Sequence, residues 1–120
     1  MIKSFRDLEI YEESYQLMIE IHQHINRLPY FERMELPSQI RHASKSIPTN
    51  IAEGWAKHHN TKDFKRYLDI ALGSTNEMEV HLETVKDLKY LGQEVCINLL
   101  KRYKFLGGKI VRLKQIWRSF

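Results

Sequence analysis

Apolar residues recur at intervals of three and four along most of the chain, which is the spacing of α-helices that bury one face. The first predicted helix begins at a Ser4 cap and runs to about Leu28. Its apolar positions form two neighbouring rows, and so wide an arc predicts contact with more than one other helix. One row is Leu8, Tyr11, Tyr15, Met18, His22 and Ile25, and the other is Ile10, Leu17, Ile21 and Leu28.

Three further helices are predicted, with short connections between them. Their predicted limits are Pro37 or Ser38 to Trp55, Thr61 to Gly92, and Glu94 to Phe120, with a loop at 29–36 and a polar turn at 56–60. Thr61 is expected to cap the third helix, and Gly92 to end it in a left-handed conformation. The expected inner faces are Phe64, Leu68, Ala71, Thr75, Met78, Leu82 and Val85, followed by Cys96, Leu99, Tyr103, Leu106, Ile110, Leu113, Trp117 and Phe120.

Pro48 lies inside the apolar pattern of the second helix. Ile47 and Ile51 belong to one stripe, so the helix is expected to continue past the proline. Pro48 has no N–H to bond to the carbonyl of Ser44, and its ring crowds that carbonyl, at a cost of ~3 kcal/mol in a helix interior. The sequence therefore predicts a bend at this point.

Four helices with short connections predict a single domain, residues 1–120, with an all-α fold. The expected architecture is an antiparallel up-down-up-down four-helix bundle with a proline-kinked second helix. Gly73-Ser74 and Gly107-Gly108 interrupt the two last helices. Close helix packing is the favoured explanation for these small residues, and a slight bend is the alternative.

The segments SQIRHASKSIPTNIAEGW and KDFKRYLDIALGSTNEMEVHLETVKDLKYL resemble the 23S ribosomal RNA intervening-sequence protein family of bacterial four-helix bundles. FRDLEIYEESYQLMIEIH resembles the first helix of that family, so the likeness covers nearly the whole chain, and SIP-x-NIAEG is its most specific part. The family is similar to the accessory proteins of diversity-generating retroelements. The resemblance implies a homopentamer with a nucleic-acid partner, and it implies no established reaction.

Composition narrows the class of protein. The sequence contains no run of 18 or more apolar residues, so no transmembrane helix is expected. Its acidic start lacks the apolar segment of a signal peptide. The single Cys96 permits no disulfide within the chain, which is typical of a reducing compartment. We therefore expect a cytoplasmic protein without a membrane partner.

The net charge of +4 is unevenly distributed. Residues 1–92 carry 12 Lys and Arg against 14 Asp and Glu, whereas residues 93–120 carry 7 against 1. A basic last helix fits binding to RNA or DNA, and it equally fits pairing with acidic helices of the same or a neighbouring subunit. The residues predicted to bind nucleic acid are Lys101, Arg102, Lys109, Arg112 and Lys114, with Arg41 and Lys45 on the second helix.

The side chains of Lys101, Arg102, Lys109 and Arg112 on the fourth helix are expected to be solvated. Lys101, Lys104 and Arg112 cannot all share one narrow face, so the charge is expected to be spread around the exposed arc of that helix. Lys57, Lys62, Lys65 and Arg66, around the turn before the third helix, add to the positive charge. The alternative function is a structural or adaptor oligomer that recruits a protein partner.

Sequence patterns typical of enzymes are weak. No Glu has a His three residues after it, so the Glu-x-x-His pairs of di-iron bundles are missing from the sequence. The carboxylates at Glu9, Glu12, Glu79, Glu83 and Asp87 partly match the spacing of magnesium-dependent nucleotide hydrolases, which stays a remote alternative. We expect no catalytic residue, no metal and no cofactor.

The histidines and the cysteine are also expected to be structural. His58 and His59 are adjacent in a turn, so their side chains are predicted to diverge. His81 stands among glutamates and is predicted to lie on a solvated face, whereas Cys96 falls in an apolar stripe and is predicted to be buried.

Asn50 and Glu53 lie three residues apart beside the apolar stripe of the second helix. Together with Pro48 and Gly54 they form a candidate structural site or subunit contact, which the bend would aim away from the rest of the helix. Because nothing nearby supplies a second catalytic group, a structural role is favoured over a functional one.

Overall fold

The structure is a computed structural model that describes residues 1–28 and 35–118. Within these residues it contains a short 3₁₀ turn at Phe5–Asp7 and four α-helices: α1 at Glu9–Ile25, α2 at Leu36–Trp55, α3 at Thr61–Asp87 and α4 at Gln93–Ile116. The prediction of an all-α, four-helix fold is confirmed. Most of the loop predicted at 29–36, and Phe120, lie outside the described residues.

The chain enters α1 through a capped turn. Ser4 Oγ accepts a hydrogen bond from the Arg6 N–H at 3.0 Å, and Asp7 Oδ2 accepts one from the Ser4 N–H at 3.1 Å. This reciprocal capping box belongs to the 3₁₀ turn. Leu8 is extended, and α1 begins one residue later. Ser4 is therefore a cap, but of a short turn that precedes α1.

The predicted cap of α3 is wrong by one residue. Asn60, rather than Thr61, caps this helix, because its Oδ1 accepts a hydrogen bond from the Asp63 N–H at 3.1 Å. Asparagine and threonine are both good caps, and here the backbone of Asn60 has the extended conformation that a cap requires, with φ −102° and ψ 103°.

The end of α3 also differs from the prediction. Lys89, with φ 62°, takes the left-handed conformation that was predicted for Gly92. The N–H of Tyr90 donates to the Val85 carbonyl at 2.9 Å and that of Lys89 to the Lys86 carbonyl at 3.0 Å, which is a Schellman motif. Gly92, with φ −56°, instead precedes α4.

The four helices share one apolar core. All seven residues predicted for the inner face of α3 are buried, as are the first five predicted for α4. In α1 the row that contains Ile10, Leu17 and Ile21 is buried, whereas Tyr15 of the other row is 41% exposed. The wide apolar arc of α1 thus divides into a core row and a row that lies partly at the surface.

Contacts between helices follow a consistent order. Residue numbers rise along one helix as they fall along its neighbour, which is the order expected when adjacent helices run in opposite directions. The contacts are Glu9 to Lys109 and Glu20 to Arg102 between α1 and α4, Ser46 to Ser74 and Gly54 to Tyr67 between α2 and α3, and Asp69 to Lys114 and Thr75 to Gly107 between α3 and α4.

Pro48 lies inside α2, as predicted, and the side chains of Ile47 and Ile51 on either side of it are fully buried. The helix continues past the proline because its stripe must bury both isoleucines. The bend at Pro48 stays a prediction.

The glycines pack differently from the prediction. A Cβ on Gly107 would lie 3.6 Å from Thr75 Cγ2, an ordinary contact. A Cβ on Gly73 or Gly108 would meet no atom of the described chain within 4 Å, so close packing within the protomer is wrong as an explanation for these two. The tightest contact is at Gly54, where a Cβ would lie 2.7 Å from Tyr67 Cβ.

Candidate nucleic-acid interface

Much of the positive charge on α4 is paired with acidic residues of α1. Arg102 makes a two-point contact with Glu20, in which Nη1 donates to Oε1 at 2.8 Å and Nη2 donates to Oε2. Lys109 Nζ donates to Glu9 Oε1 at 2.6 Å and also to Glu13 Oε1. These five side chains form what we call the α1–α4 seam.

The seam shifts the ionisation of its members toward their charged forms. The hydrogen bonds from Arg102 lower the pKa of Glu20, and the hydrogen bond from Lys109 lowers the pKa of Glu9. Conversely, the bonds to Glu20 raise the pKa of Arg102, and those to Glu13 and then Glu9 raise the pKa of Lys109. Because these side chains are partly exposed, each pair stabilises the fold only modestly.

Lys114 is also paired, with its Nζ 2.6 Å from Asp69 Oδ1 on α3. The prediction of solvated side chains is therefore wrong for Arg102 and Lys109. The reason is that α1 and α3 bring carboxylates to both flanks of α4, so part of the charge asymmetry along the chain is compensated inside the protomer.

The remaining cations on α4 lie together on its outer side. Lys101, Lys104 and Arg112 are exposed and line one groove of about 740 Å³, which we call the α4 groove. They therefore lie within one exposed arc of the helix, which is the arrangement that was predicted for these charges. The groove also contains Ile97 and Phe105, which are 50% and 61% exposed.

The two predicted cations of α2 occupy other parts of the surface. Arg41 is half-buried and lines a small pocket with Pro37 and Ile25. Lys45 is exposed at the edge of a groove between α1 and α2. Neither forms an ion pair with a residue that the structure describes.

The groove between α1 and α2, which we call the α1–α2 groove, has a volume of about 610 Å³. The partly exposed row of α1 lines one side, with Tyr11 and Tyr15 stacked at 5.9 Å between ring centroids. Pro48 and Glu53 line the other side. The groove is mostly apolar, and four residues of the SIP-x-NIAEG segment line it, namely Pro48, Thr49, Ala52 and Glu53.

Asn50, in the same segment, makes its hydrogen bonds within α2 itself. Asn50 Nδ2 donates to the Ser46 carbonyl at 2.8 Å and to Ser46 Oγ at 3.0 Å, and Ser74 Oγ of α3 donates to Ser46 Oγ at 2.8 Å. These bonds tie α2 to α3 and agree with the structural interpretation of Asn50. Gly54 is buried against Tyr67, which gives it a packing role.

An aromatic cluster at the end of the bundle was missed by the sequence analysis. The rings of Trp55 and His58 stack at 3.9 Å, and Trp117 meets both rings edge-on. Trp117 Nε1 also donates to the His58 carbonyl at 3.3 Å. The ring of His59 lies 4.0 Å from that of His58, so the prediction that these histidines diverge is wrong.

Exposed cations lie at the same end of the bundle as this cluster. Lys57 and Lys62 flank the turn between α2 and α3, Arg66 follows one helical turn later with its guanidinium 4.6 Å from the Tyr67 ring centroid, and Arg118 adjoins Trp117. We call Lys57, Lys62, Arg66 and Arg118 the end cations. None of them forms an ion pair with a carboxylate in the described part of the chain.

Comparisons with known proteins identify the family. The family model of the 23S rRNA-intervening sequence protein matches residues 6–112. The chain belongs to this family. A crystal structure of a protein of unknown function from the S23 ribosomal protein family of Bacteroides thetaiotaomicron is similar, with a TM-score of 0.79, 21% identity, and coverage of 88% of this chain and 95% of that chain. At this identity the likeness shows the fold alone. No curated protein matched.

The family resemblance seen in SIP-x-NIAEG is thus confirmed, and the match includes all four helices. In this intervening-sequence protein, the described residues contain no group of three or more His, Cys, Asp or Glu side chains placed to hold a metal ion. No helix within residues 1–28 and 35–118 is long and apolar enough to cross a membrane.

Three buried polar groups complete the description of this intervening-sequence protein. His81 is buried rather than solvated, because Met78, Leu82 and Val85 pack the same side of α3, and its Nε2 lies 3.1 Å from Glu77 Oε2. Cys96 is buried, as predicted, and burial raises the pKa of its thiol. Tyr103 is fully buried, and its hydroxyl finds no hydrogen-bond partner among the described residues.

Proposed function

We propose that this protein is a non-enzymatic homo-oligomer that binds RNA or DNA through exposed cations, and that the oligomer is the pentamer implied by the family resemblance. Binding by contacts to phosphate carries little sequence preference. Because the family name refers to 23S rRNA, structured RNA is the first ligand to test. The protein would act in the cytoplasm, where such RNA is found.

The end cations are the observation that carries this proposal. Four exposed cations have no carboxylate partner in the described chain, so their charge is available to phosphate. They lie at the same end of the bundle as the partly exposed aromatic rings of Trp55 and His58, a combination common on surfaces that bind single-stranded nucleic acid. An oligomer would repeat this group and strengthen its positive field.

The seven residues first predicted to bind nucleic acid are less suitable as a set. Arg102, Lys109 and Lys114 already have carboxylate partners, and phosphate would have to displace those partners. Reversing Arg102 or Lys109 would also place like charges across the α1–α4 seam. We therefore assign the phosphate contacts to the end cations, with Lys101, Arg41 and Lys45 as the next candidates.

Electrophoretic mobility shifts with structured RNA and duplex DNA test this proposal, at salt concentrations of ~50 mM and ~200 mM. Wild-type binding should weaken steeply with salt, with a log–log slope of ~0.9 per phosphate neutralised on duplex DNA. Lys57→Glu with Lys62→Glu should weaken binding at least ~10-fold and lower that slope by ~1 for each phosphate that is no longer neutralised.

The matched control is Arg27→Glu with Lys89→Glu, which makes the same change in charge at exposed positions near the opposite end of the bundle. This control should bind like the wild type. If the control loses binding and the Lys57 and Lys62 variant keeps it, the end cations are the wrong surface. If neither nucleic acid shifts at the lower salt, the nucleic-acid proposal is overturned.

A second candidate function is an adaptor oligomer that recruits a protein partner. The α1–α2 groove favours it, because Tyr15 and Ile19, two large apolar side chains that line this groove, are 41% and 39% exposed. Tyr15→Glu would block a protein partner while leaving the affinity for nucleic acid unchanged.

A further inference from the structure

The α4 groove is an apolar surface that the protomer leaves uncovered. Its centre is Gly108, where a Cβ would meet no described atom within 4 Å, and Ile97 and Phe105 beside it are at least half exposed. Lys104 and Arg112 stand one helical turn before and after Gly108. This surface therefore has a glycine at its centre and a cation one helical turn away on each side.

The outer face of α3 also has a glycine between two charged residues, but there the charges are negative. Gly73 is also open, with no described atom within 4 Å of a built Cβ. Asp69 and Glu77 stand one helical turn before and after it, and their side chains are 51% and 49% exposed. Val80, one turn further on, is 60% exposed and extends the apolar part of this face.

A glycine in a helix interior costs ~1 kcal/mol relative to alanine. Gly54 uses the missing side chain to approach another helix of the same chain, and Gly107 lies in ordinary contact with α3, whereas Gly73 and Gly108 have no neighbour within the described chain. Small residues allow two helix backbones to approach closely. The two glycines therefore mark places where a helix from outside the protomer can fit.

We propose that the outer face of α3 in one copy of the chain packs into the α4 groove of a second copy, with Gly73 opposite Gly108. In that arrangement the carboxylates of Asp69 and Glu77 lie opposite Lys104 and Arg112, one turn to each side of the crossing. The proposal deepens the oligomer in the proposed function and rests on it, and it is independent of nucleic-acid binding.

A second copy suits the α4 groove better than nucleic acid does. A phosphate backbone would meet Lys104 and Arg112, but it would bury Phe105 and Ile97 only poorly. On the other side of Phe105, a neighbouring groove contains Glu12, an exposed carboxylate that repels phosphate. The acidic outer face of α3 matches both the cations and the apolar centre.

The contact joins two different faces of the chain, the outer face of α3 and the α4 groove. Each copy carries both faces and can therefore bind two other copies. Such head-to-tail contacts build closed rings or open filaments rather than isolated dimers. Asp69 keeps its bond to Lys114, and its second oxygen is available to the neighbouring copy. The same applies to Glu77, one oxygen of which contacts His81.

Two leucine substitutions test the contact without harming the protomer. Gly73→Leu and Gly108→Leu add side chains where the described chain leaves open space, and both improve helix propensity. Each variant alone should be a monomer by sedimentation velocity, with a melting temperature of the isolated chain no lower than before. Asn98→Leu is the matched control, since it adds the same side chain at an exposed position on α4 outside the groove, and it should assemble like the wild type.

Mixing the two variants gives the sharpest result. Gly73→Leu retains an intact α4 groove and Gly108→Leu retains an intact α3 face, so an equimolar mixture should form a 1:1 dimer and nothing larger. If either variant still assembles, or if the mixture stays monomeric, the pairing of these faces is overturned while the proposed oligomer stands. If the wild type is itself a monomer at micromolar concentration, both proposals for self-association fail, and the mobility shifts still decide nucleic-acid binding.

Discussion

Gly54 is the residue with the least room for change. A Cβ there would lie 2.7 Å from Tyr67 Cβ and 3.2 Å from Phe64 Cδ1, and these atoms are held by the body of α3. Helix propensity alone would favour alanine by ~1 kcal/mol, but the clash between α2 and α3 is expected to outweigh it. At the scale of single residues, the packing of a neighbouring helix therefore requires glycine here, although helix propensity favours alanine.

We predict that Gly54→Ala lowers the free energy of unfolding by ~1–3 kcal/mol, the usual cost of overpacking. Urea denaturation followed by circular dichroism measures it. Asn98→Ala, at an exposed position on α4, should be neutral or slightly stabilising. Equal unfolding midpoints for the two variants would contradict the close approach of α2 and α3 at this point.

At Lys89 it is the backbone conformation, rather than the space for a side chain, that favours glycine. A φ of 62° is costly for a residue with a Cβ. We predict that Lys89→Gly raises the free energy of unfolding by ~1 kcal/mol, whereas Lys89→Ala, which loses the same charge, leaves it nearly unchanged. A shift in the denaturation midpoint that is the same for both variants would refute this explanation.

These residues also show the limit of sequence reading at this scale. A left-handed cap was predicted at Gly92 because glycine is the usual residue at a left-handed helix end. The chain instead turns at Lys89, which lets Tyr90 and Leu91 pack against the core. Neither this contact nor the one between Gly54 and Tyr67 has a local sequence signal, because each depends on how close two elements come in space.

At the scale of elements, the inner faces of the helices were predictable and their outer contacts were not. The three- and four-residue period identifies the buried side of α3 residue by residue, since burial of one stripe is what stabilises such a helix. The α1–α4 seam joins residues 82 to 100 positions apart, so a count of charges along the chain could not separate paired from free cations.

The seam should make stability depend on pH in a defined direction. Glu20 has a lowered pKa in the folded state, so it contributes stability above its unfolded pKa of ~4.3, and that contribution is lost as the pH falls through the folded value. We predict that Arg102→Gln costs about 0.5 kcal/mol at neutral pH, a value typical of partly exposed pairs, and less at pH ~3.

Urea denaturation of the wild type, Arg102→Gln, Glu20→Gln and the double variant, at both pH values, measures this effect. The double variant should cost little more than either single variant at neutral pH, because the two side chains share one interaction. A cost of Arg102→Gln that does not change between the two pH values would mean that packing of the arginine stem, rather than its charge, stabilises the contact between α1 and α4.

For the molecule as a whole, the outer surface says more about binding partners than the core does. The bundle is an elongated body of 49 × 23 × 20 Å with two apolar grooves, one on α4 and one between α1 and α2. A monomer that buries its core completely has no need of such surfaces. Sequence reading anticipated surplus apolar positions on α1, but it could not locate the α4 groove, because Ile97 and Phe105 lie outside the main stripe.

We predict a closed assembly of five chains, which at 14.4 kDa each gives about 72 kDa. A head-to-tail contact closes only if each step rotates by the right fraction of a full turn, and a closed ring then has no free face left to grow from. The mass found by native mass spectrometry and by sedimentation should therefore stay constant from low to high micromolar concentration. A mass that rises continuously with concentration would indicate an open filament, and a constant 14.4 kDa would show that the grooves serve another partner.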